Sequence, residues 1–114
     1  MQRKDIIVLN KVLSEIQVCF EMLGDATLEA FLEDEKLKRA VAMTVINIGE
    51  LVKNLSDDTR TKYSHIPWRA IAGMRDIAAH KYQTLRMEDV YNTVKTDLPP
   101  LKSNIVIILK EALS

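Results

Sequence analysis

Apolar side chains in the first 23 residues of this 114-residue sequence recur at alternating steps of three and four. That spacing places them on one side of an α-helix for about five turns, and it excludes a half-buried strand, in which apolar residues alternate. Val12 and Cys19 broaden the stripe, and Gly24 marks a helix end, with Asp25 as a cap for the next segment. The stripe consists of Ile6, Leu9, Leu13, Ile16, Phe20 and Leu23. The sequence therefore predicts a long amphipathic first helix.

The rest of the chain continues the helical pattern, and its few glycines and prolines mark the breaks. The acidic run 33–35 suits the first turn of a long helix, where the helix dipole favours negative charge. Pro67 suits the first position of a later helix, and Pro99–Pro100 is expected to kink or interrupt the last helical region. The expected segments are Thr27–Leu32, about 35–55, a short turn to Tyr63, Pro67–His80, Met87–Leu98 and Leu101–Leu113. The predicted fold class is all-α, an antiparallel up-and-down helical bundle.

Composition is that of a globular helical protein, with 47% apolar and 28% charged residues and a length suited to one domain. The single cysteine, Cys19, cannot form an intrachain disulfide and fits a reducing cytosol, as a buried packing residue or as a reactive thiol. No signal peptide is visible, and no apolar run approaches the roughly 20 residues of a membrane span. We therefore expect a cytoplasmic protein with no membrane partner.

The net charge of zero conceals an asymmetry along the chain. Residues 1–58 contain 7 basic and 11 acidic side chains, whereas residues 59–114 contain 9 basic and 5 acidic ones. Between Arg60 and Arg86 there are six basic residues and one acid, Asp76. Such a segment can attract a phosphate backbone or an acidic partner protein, or it can be an ordinary solvated face.

The stretch from Arg75 to Tyr82 brings an arginine, one of two histidines and a phenol within eight residues. A helical wheel of Pro67–His80 puts a polar stripe opposite the core face, with Trp68 and Arg75 just beyond its small-residue edges. The expected core face is Pro67, Ile71, Met74 and Ala78, with Ala70 and Ile77 beside it. The stripe is Arg69, Gly73, Asp76 and His80, edged by Ala72 and Ala79. Small residues on a polar face indicate the close approach of a helix, a second subunit or a ligand.

Two interpretations of His80 follow from the wheel. Asp76, four residues earlier on the same face, can hydrogen-bond the imidazole and favour its protonated form. Alternatively, His80 is a C-terminal helix histidine stabilised by the dipole, and Arg75 and Asp76 are surface charges. Glu50, on the preceding long helix, is either an exposed acid or a carboxylate directed toward the same site.

Several short motifs together resemble the HepT-like family of HEPN domains. They are Ile66-Pro67-Trp68-Arg69, Gly73-Met74-Arg75-Asp76, His80-Lys81-Tyr82, Leu98-Pro99 and Ile48-Gly49-Glu50. The pattern that defines the family is an arginine, four residues, a histidine, one residue and a tyrosine, and it is matched by Arg75, His80 and Tyr82. The resemblance covers nearly the whole chain and implies a single HEPN domain at residues 1–114.

That resemblance implies a metal-independent ribonuclease toxin of a toxin–antitoxin pair, a helical homodimer in which two motifs face each other. It implies that Arg75 and His80 are catalytic, and that an MntA-like nucleotidyltransferase antitoxin silences the toxin by transferring AMP to Tyr82. The further expected site residues are Asp76 and Glu50 as accessory groups, and Arg69, Lys81 and Arg86 as RNA-binding groups.

The chemistry of these residue types agrees with that implication. Cleavage of RNA by its own 2′-hydroxyl needs a base, an acid and stabilisation of the charged phosphorane. His80 can transfer protons near neutral pH, Arg75 can hold a phosphate with its planar fork, and a two-fold dimer supplies two of each. We expect no metal and no cofactor, because His65 and His80 are not spaced with carboxylates as a ligand set. Tyr82 can also be interpreted as a ring that packs the turn.

Two other functions remain open from the sequence. The chain can be a non-catalytic helical partner or substrate-binding subunit of a minimal nucleotidyltransferase, with the motif serving assembly or nucleotide binding. It can also be an RNA-binding protein without chemistry, in which the charge of Arg75 matters and its shape does not.

Overall fold

The computed structural model describes residues 1–81 and 86–114, with the side chains of residues 1–74 and 86–114. Every regular element in these ranges is helical. The helices are α1 (Arg3–Leu23), α2 (Leu28–Glu33), α3 (Glu35–Lys53), α4 (Asp57–Lys62), α5 (Trp68–Lys81), α6 (Met87–Asn92) and α7 (Leu98–Leu113), with a π-helical segment at Thr93–Asp97. The predicted all-α class is therefore confirmed for the described part of the chain.

Helix α1 ends at the predicted glycine. Gly24 has a φ of 50°, which an L side chain rarely adopts, and its N–H donates to the Phe20 carbonyl at 2.8 Å. The prediction that Asp25 caps the next helix is wrong, because Asp25 lies three residues before Leu28, the first residue of α2. Thr27 caps this helix instead, and its Oγ1 accepts the N–H of Ala30 at 3.1 Å.

Two of the three acidic residues predicted to start the long helix do so, whereas Glu33 is the last residue of α2. Asp34 caps α3 by accepting the Leu37 N–H at 3.0 Å, and Glu35 occupies the first turn. The helix ends at Lys53, two residues before the expected end. Leu55 is nevertheless buried, 2% exposed, so the apolar periodicity continues past the last helical residue.

Four long helices form the bundle, with α3 between α1 and α5, and α7 against α1. Asp5, in the first turn of α1, bonds to Ser56 just past the end of α3, so these helices are antiparallel. Lys102, early in α7, reaches Gln17, late in α1, and α7 therefore also runs against α1. The fully enclosed residues of the core are Leu9, Val12, Ile16, Cys19, Phe31, Val41, Ile48, Val52, Leu98 and Ile105.

One carboxylate lies inside this bundle. Asp5 is 0% exposed and accepts hydrogen bonds from the Ser56 N–H at 2.9 Å, the Ser56 hydroxyl, and the Thr59 hydroxyl at 2.7 Å. Burial raises the pKa of the Asp5 carboxyl, but these hydrogen bonds outweigh burial and leave its pKa below the ordinary value. Ser56 is also the cap of α4, since its Oγ accepts the Thr59 N–H. The start of α1 is thus joined to the cap of α4.

The expected interruption at Pro99–Pro100 takes a different form. Both prolines lie in the first turn of α7, where their missing N–H groups are tolerated. The irregularity precedes them as the π-helical segment, in which the Leu98 N–H donates to the Thr93 carbonyl five residues back. A wider turn at this point separates the proline rings from the carbonyls of the preceding turn. The chain consequently remains helical from Met87 to Leu113.

None of the helices described here is long and apolar enough to cross a membrane.

Candidate functional site

Helix α5, which carries the positions of Arg75 and His80, is fixed at its first turn. The indole Nε1–H of Trp68 donates to the Tyr63 carbonyl at 3.0 Å, and Trp68 is 4% exposed. Pro67 lies just before the helix, and not at its first position as expected, and its carbonyl accepts the Ile71 N–H at 3.1 Å. Ile66 and Ile71 are buried on either side. These contacts set the direction of the motif helix.

The expected core face of α5 is partly wrong. Ile71 is buried as predicted, but Pro67 and Ala70 are exposed, and Trp68, placed near the polar stripe on the wheel, is buried. The indole has a much larger apolar area than a proline ring or a methyl group, and its N–H has a partner here, so burying it is favoured. Met74 is half-buried. Ile77 and Ala78 lie outside the described side chains.

The described half of the polar stripe faces outward. Arg69 is exposed and makes no ion pair with any described residue, and a Cβ built on Gly73 meets no described atom within 4 Å. Ala72, at the edge of the stripe, packs against the core. No described residue therefore covers this side of α5 at Arg69 and Gly73.

The motif residues themselves stand as predictions. Arg75, Asp76, His80 and Lys81 belong to the backbone of α5, and their side chains lie outside the described residues. Tyr82 lies outside the described residues altogether. The helix is continuous over residues 68–81, so positions 69, 73, 76 and 80 keep the spacing of four, three and four that the stripe requires.

Glu50, expected as an accessory group, is exposed on α3. It lines a groove of about 330 Å³ between α1 and α3, together with Lys11, Glu15 and Asn47. Gly49, beside it, is buried. Glu50 is thus exposed on the helix that packs against α5, and its role as an accessory group stays a prediction.

The expected RNA-binding residues lie at both ends of the region. Arg69 is exposed in the first turn of α5, and Arg86 is exposed directly before α6, where it pairs with Glu88 at 3.3 Å. Two further exposed basic groups, Lys62 and His65, flank the Tyr63 ring, with the lysine Nζ 5.5 Å from the ring centroid. Basic side chains therefore surround the start of α5.

A groove that the sequence did not predict separates α5 from the last helical region. Its volume is about 380 Å³. The α5 side is apolar and includes Pro67, Ala70 and Met74. The other side carries polar groups, which are Thr93, Thr96, Asp97 and Asn104. Three of these polar residues belong to the π-helical segment, whose register cannot be inferred from helical periodicity.

Among the described side chains, no group of three or more His, Cys, Asp or Glu residues is placed to hold a metal ion. Cys19 is 0% exposed, and burial, with a smaller contribution from Glu15, raises the pKa of its thiol to about 12. Of the two interpretations of this residue, buried packing is therefore confirmed and a reactive thiol is wrong.

The fold and the motif together define a class of helical ribonuclease, and comparison with known proteins shows the family. The model of the HepT-like family, described as "Ribonuclease HepT-like", matches residues 12–108. The chain therefore belongs to the HepT-like ribonuclease family, and the resemblance inferred from its motifs is confirmed. The predicted enzyme class, an endoribonuclease, is confirmed at the level of that family.

Individual relatives are similar over nearly the whole chain. A Methanocaldococcus jannaschii protein named "Gamma-glutamylcyclotransferase and putative RNase" is 40% identical over 96% of this chain, which spans only 50% of that relative. A "putative RNase" from Caldanaerobacter subterraneus subsp. tengcongensis is 34% identical over 90% of this chain and 92% of its own length. The "probable ribonuclease HepT" of Thermococcus cleftensis is 34% identical over 90% of this chain and 93% of its own length. No solved structure matches the chain.

Proposed function

We propose that this protein is a metal-independent endoribonuclease toxin of a toxin–antitoxin pair, acting on cytoplasmic RNA. The observation that carries the proposal is the family membership of a chain in which the positions of Arg75 and His80 lie on one helix, α5. Within the described part of the chain, no atom lies within 4 Å of a Cβ built on Gly73 and Arg69 makes no ion pair, which supports the approach of a polyanionic substrate on this side of α5.

The proposed reaction uses the RNA's own 2′-hydroxyl as nucleophile. A base removes the 2′-proton while the 2′-oxygen bonds to the adjacent phosphorus, and the bond to the 5′-oxygen breaks as an acid protonates it. The products are a 2′,3′-cyclic phosphate and a 5′-hydroxyl. His80 takes the proton-transfer roles, and Arg75 stabilises the negative charge of the phosphorane with two parallel N–H donors.

A homodimer is part of the proposal, because two proton transfers need two groups. Each chain supplies one motif histidine, His80. The other histidine of the sequence, His65, is not part of the motif and is exposed in the connection before α5. A two-fold axis near the open side of α5 brings two copies of His80 and Arg75 into one cleft. Asp76 and Glu50 act there as accessory groups, and Arg69, Lys81 and Arg86 contact the RNA backbone.

Neutralisation is proposed to occur at Tyr82. Its phenol oxygen attacks the α-phosphorus of ATP bound by an MntA-like nucleotidyltransferase antitoxin, pyrophosphate leaves, and the phenol proton passes to a base. The resulting phosphodiester adds bulk and negative charge next to the motif and repels RNA.

The test is expression of the chain without a neutralising partner, combined with cleavage of RNA by the purified protein. We expect wild type to slow bacterial growth and to cleave RNA in the presence of a metal chelator, and His80→Ala to lose both effects. His65→Ala is the matched control, because it removes the other histidine at an exposed position. Equal behaviour of wild type and His80→Ala would contradict the nuclease assignment. Copurification with a nucleotidyltransferase but no cleavage would favour a non-catalytic partner subunit.

A further inference from the structure

The backbone carbonyl of Tyr63 accepts two hydrogen bonds at the point where the chain enters α5. The Ile66 N–H donates to it at 3.1 Å, and the indole Nε1–H of Trp68 donates to it at 3.0 Å. Ile66 and Trp68 are 2% and 4% exposed, so water does not compete for this carbonyl. A buried indole N–H that lost its acceptor would stay unsatisfied, which is costly. The first residue of α5 is therefore bound to the turn that precedes the helix.

Tyr63 is itself held from several sides. Its N–H donates to the Thr59 carbonyl at 3.1 Å, and its phenol donates to Glu111, near the end of α7, at 2.8 Å. The Thr59 hydroxyl in turn donates to the buried Asp5 carboxylate at 2.7 Å. The carbonyl that accepts the indole N–H is thus connected to α1, α4 and α7.

The two sides of α5 differ in how closely they are packed. One side packs along α3, whereas Ala70 and Met74 on another side line the groove of about 380 Å³ toward the last helical region. A tilt of α5 toward this groove meets less resistance than a tilt into the close-packed neighbour. Among the described side chains of α5, Trp68 is the one that forms a hydrogen bond. Its bond opposes such a tilt at the first turn.

Distance along the helix magnifies a change at the first turn. At a rise of about 1.5 Å per residue, the position of His80 lies about 18 Å from Trp68, and that of Arg75 about 10 Å. A tilt of about 5° would displace these positions by about 1.6 Å and about 0.9 Å. Misplacing a reacting group by about 1 Å can lower a rate about a hundredfold.

We propose that Trp68 is a positioning residue for RNA cleavage, acting through its hydrogen bond to the Tyr63 carbonyl and through the direction of α5. The inference rests on the proposed ribonuclease function and adds to it a residue outside the motif. Because the position of His80 is displaced most by a tilt, proton transfer is affected more than RNA binding. The expected signature is slower cleavage of bound RNA with little change in affinity.

Cleavage of a short RNA by an excess of protein measures both quantities, as the rate constant at saturation and the protein concentration at half-saturation. Trp68→Phe removes the indole N–H, and the isostere 3-benzothienylalanine at position 68 replaces that N–H by a sulfur while keeping the ring size. Since Trp68 is the single tryptophan, the isostere enters at one site. We expect the isostere to lower the rate constant about tenfold or more, with the half-saturating concentration changed less than about twofold.

Ile105→Val is the matched control. It trims a fully buried side chain on α7, which packs against α1, and leaves the indole hydrogen bond in place. Large-to-small changes of this kind lower stability, so the control separates lost stability from lost positioning. All variants are compared at a temperature at which circular dichroism shows them folded, and the control should cleave at the wild-type rate.

The outcomes separate this inference from the proposed function. If the isostere cleaves as wild type does, or if Ile105→Val loses as much rate as Trp68→Phe, the positioning role is wrong and the nuclease remains. A rise in the half-saturating concentration with an unchanged rate constant would also overturn the inference, since it would indicate a role in RNA binding. If Trp68→Phe does not fold, the isostere decides. If wild type cleaves no RNA, the proposed function and the inference fail together.

Discussion

The carboxylate of Asp5 and the backbone N–H of Ser56, 2.9 Å apart, connect residues that are separated by 51 positions in the sequence. Because Ser56 also caps α4, this contact sets the position of the short helix that leads to α5. The geometry of the candidate site thus depends on a buried acid in the first turn of the protein, far from the motif in sequence.

We expect Asp5→Ala to lower the free energy of unfolding by about 2 kcal/mol or more, since it removes the charged acceptor and leaves the Ser56 and Thr59 donors buried without a partner. Unfolding can be followed by the fluorescence of Trp68, the single tryptophan, which is 4% exposed in the fold. Asp25→Ala, at an exposed position, is the control and should change stability little. Equal stabilities of the two variants would refute the role given to Asp5.

The same carboxyl predicts the direction of the pH dependence. Its pKa is lower in the folded state than its ordinary value of about 4, so the unfolded state binds its proton first as pH falls. The stabilisation is fully present above the unfolded pKa and is lost as pH decreases through the folded pKa. Chemical denaturation of wild type between about pH 6 and pH 3 should show this loss, and Asp5→Asn should reduce it. An identical pH profile in the variant would contradict the assignment.

Tyr63 and Glu111 hold the end of α7 to the segment before α5. The phenol donates to the Glu111 Oε2 at 2.8 Å, and this hydrogen bond, with a smaller contribution from burial, raises the pKa of Tyr63. We expect Tyr63→Phe to cost about 1 kcal/mol. In a double-mutant cycle with Glu111→Ala, which removes the acceptor, the two effects should be less than additive. Additive effects would mean that the hydrogen bond contributes nothing to stability.

Cys19 should resist thiol reagents in the native protein. The thiol is fully buried and its pKa is raised to about 12, so the reactive thiolate is scarce at neutral pH. Labelling with an aromatic disulfide should be slow in buffer and fast in denaturant. Ser14→Cys, which places a thiol at an exposed position of the same helix, should react quickly under both conditions. Fast labelling of Cys19 in buffer would show that α1 opens locally.

Gly73→Ala separates an effect on the stability of the folded chain from an effect on its contacts with RNA or with a second copy. The added Cβ meets no described atom within 4 Å, and alanine favours a helix by about 0.5–1 kcal/mol over glycine, so the variant should be at least as stable as wild type. If a second copy or RNA approaches this side of α5 closely, cleavage or dimer formation should nevertheless fall. Unchanged cleavage and dimer formation would place both contacts elsewhere.

Arg75→Lys separates a nuclease from a protein that only binds RNA. A lysine keeps the charge but cannot form two parallel hydrogen bonds to a phosphate, so we expect cleavage to fall about a hundredfold or more. Arg69→Lys, at an exposed position of the same helix, should change cleavage only slightly. Comparable cleavage by Arg75→Lys and wild type would favour the interpretation as an RNA-binding protein.

The sequence predicted the helices better than the faces they bury. In α1, the steps of three and four identified the helix and its end at Gly24, but the centre of the buried row is Val12 and Cys19, which the pattern showed only as a widening. Ile6, Leu13 and Phe20 are half-buried at the edges. This helix packs against both α3 and α7, so its apolar stripe is wide, and periodicity alone does not locate the centre of a wide stripe.

From the sequence, the candidate site can be predicted only as a motif, and the roles of the motif residues stay predictions. Spacing and residue type marked Arg75, His80 and Tyr82, because proton transfer and phosphate binding need those groups. The same wheel misplaced Trp68, since its burial depends on a hydrogen bond to the Tyr63 carbonyl that no local pattern encodes. The groove residues were not predicted, for a related reason. Asp97 and Asn104 line the same groove as α5 only because of tertiary packing and a change of helical register.

The π-helical segment makes the last fifth or so of the chain sensitive to the number of residues in this segment. A π turn is equivalent to an α-helix that has gained one residue, and every later position is rotated by about 100° relative to an uninterrupted α-helix. Deleting one residue within Thr93–Asp97 would therefore allow an ordinary helix but would require α7 either to rotate its apolar row away from α1 or to shift along it. Substitutions in this segment are local changes, whereas a change of length by one residue redirects a whole helix.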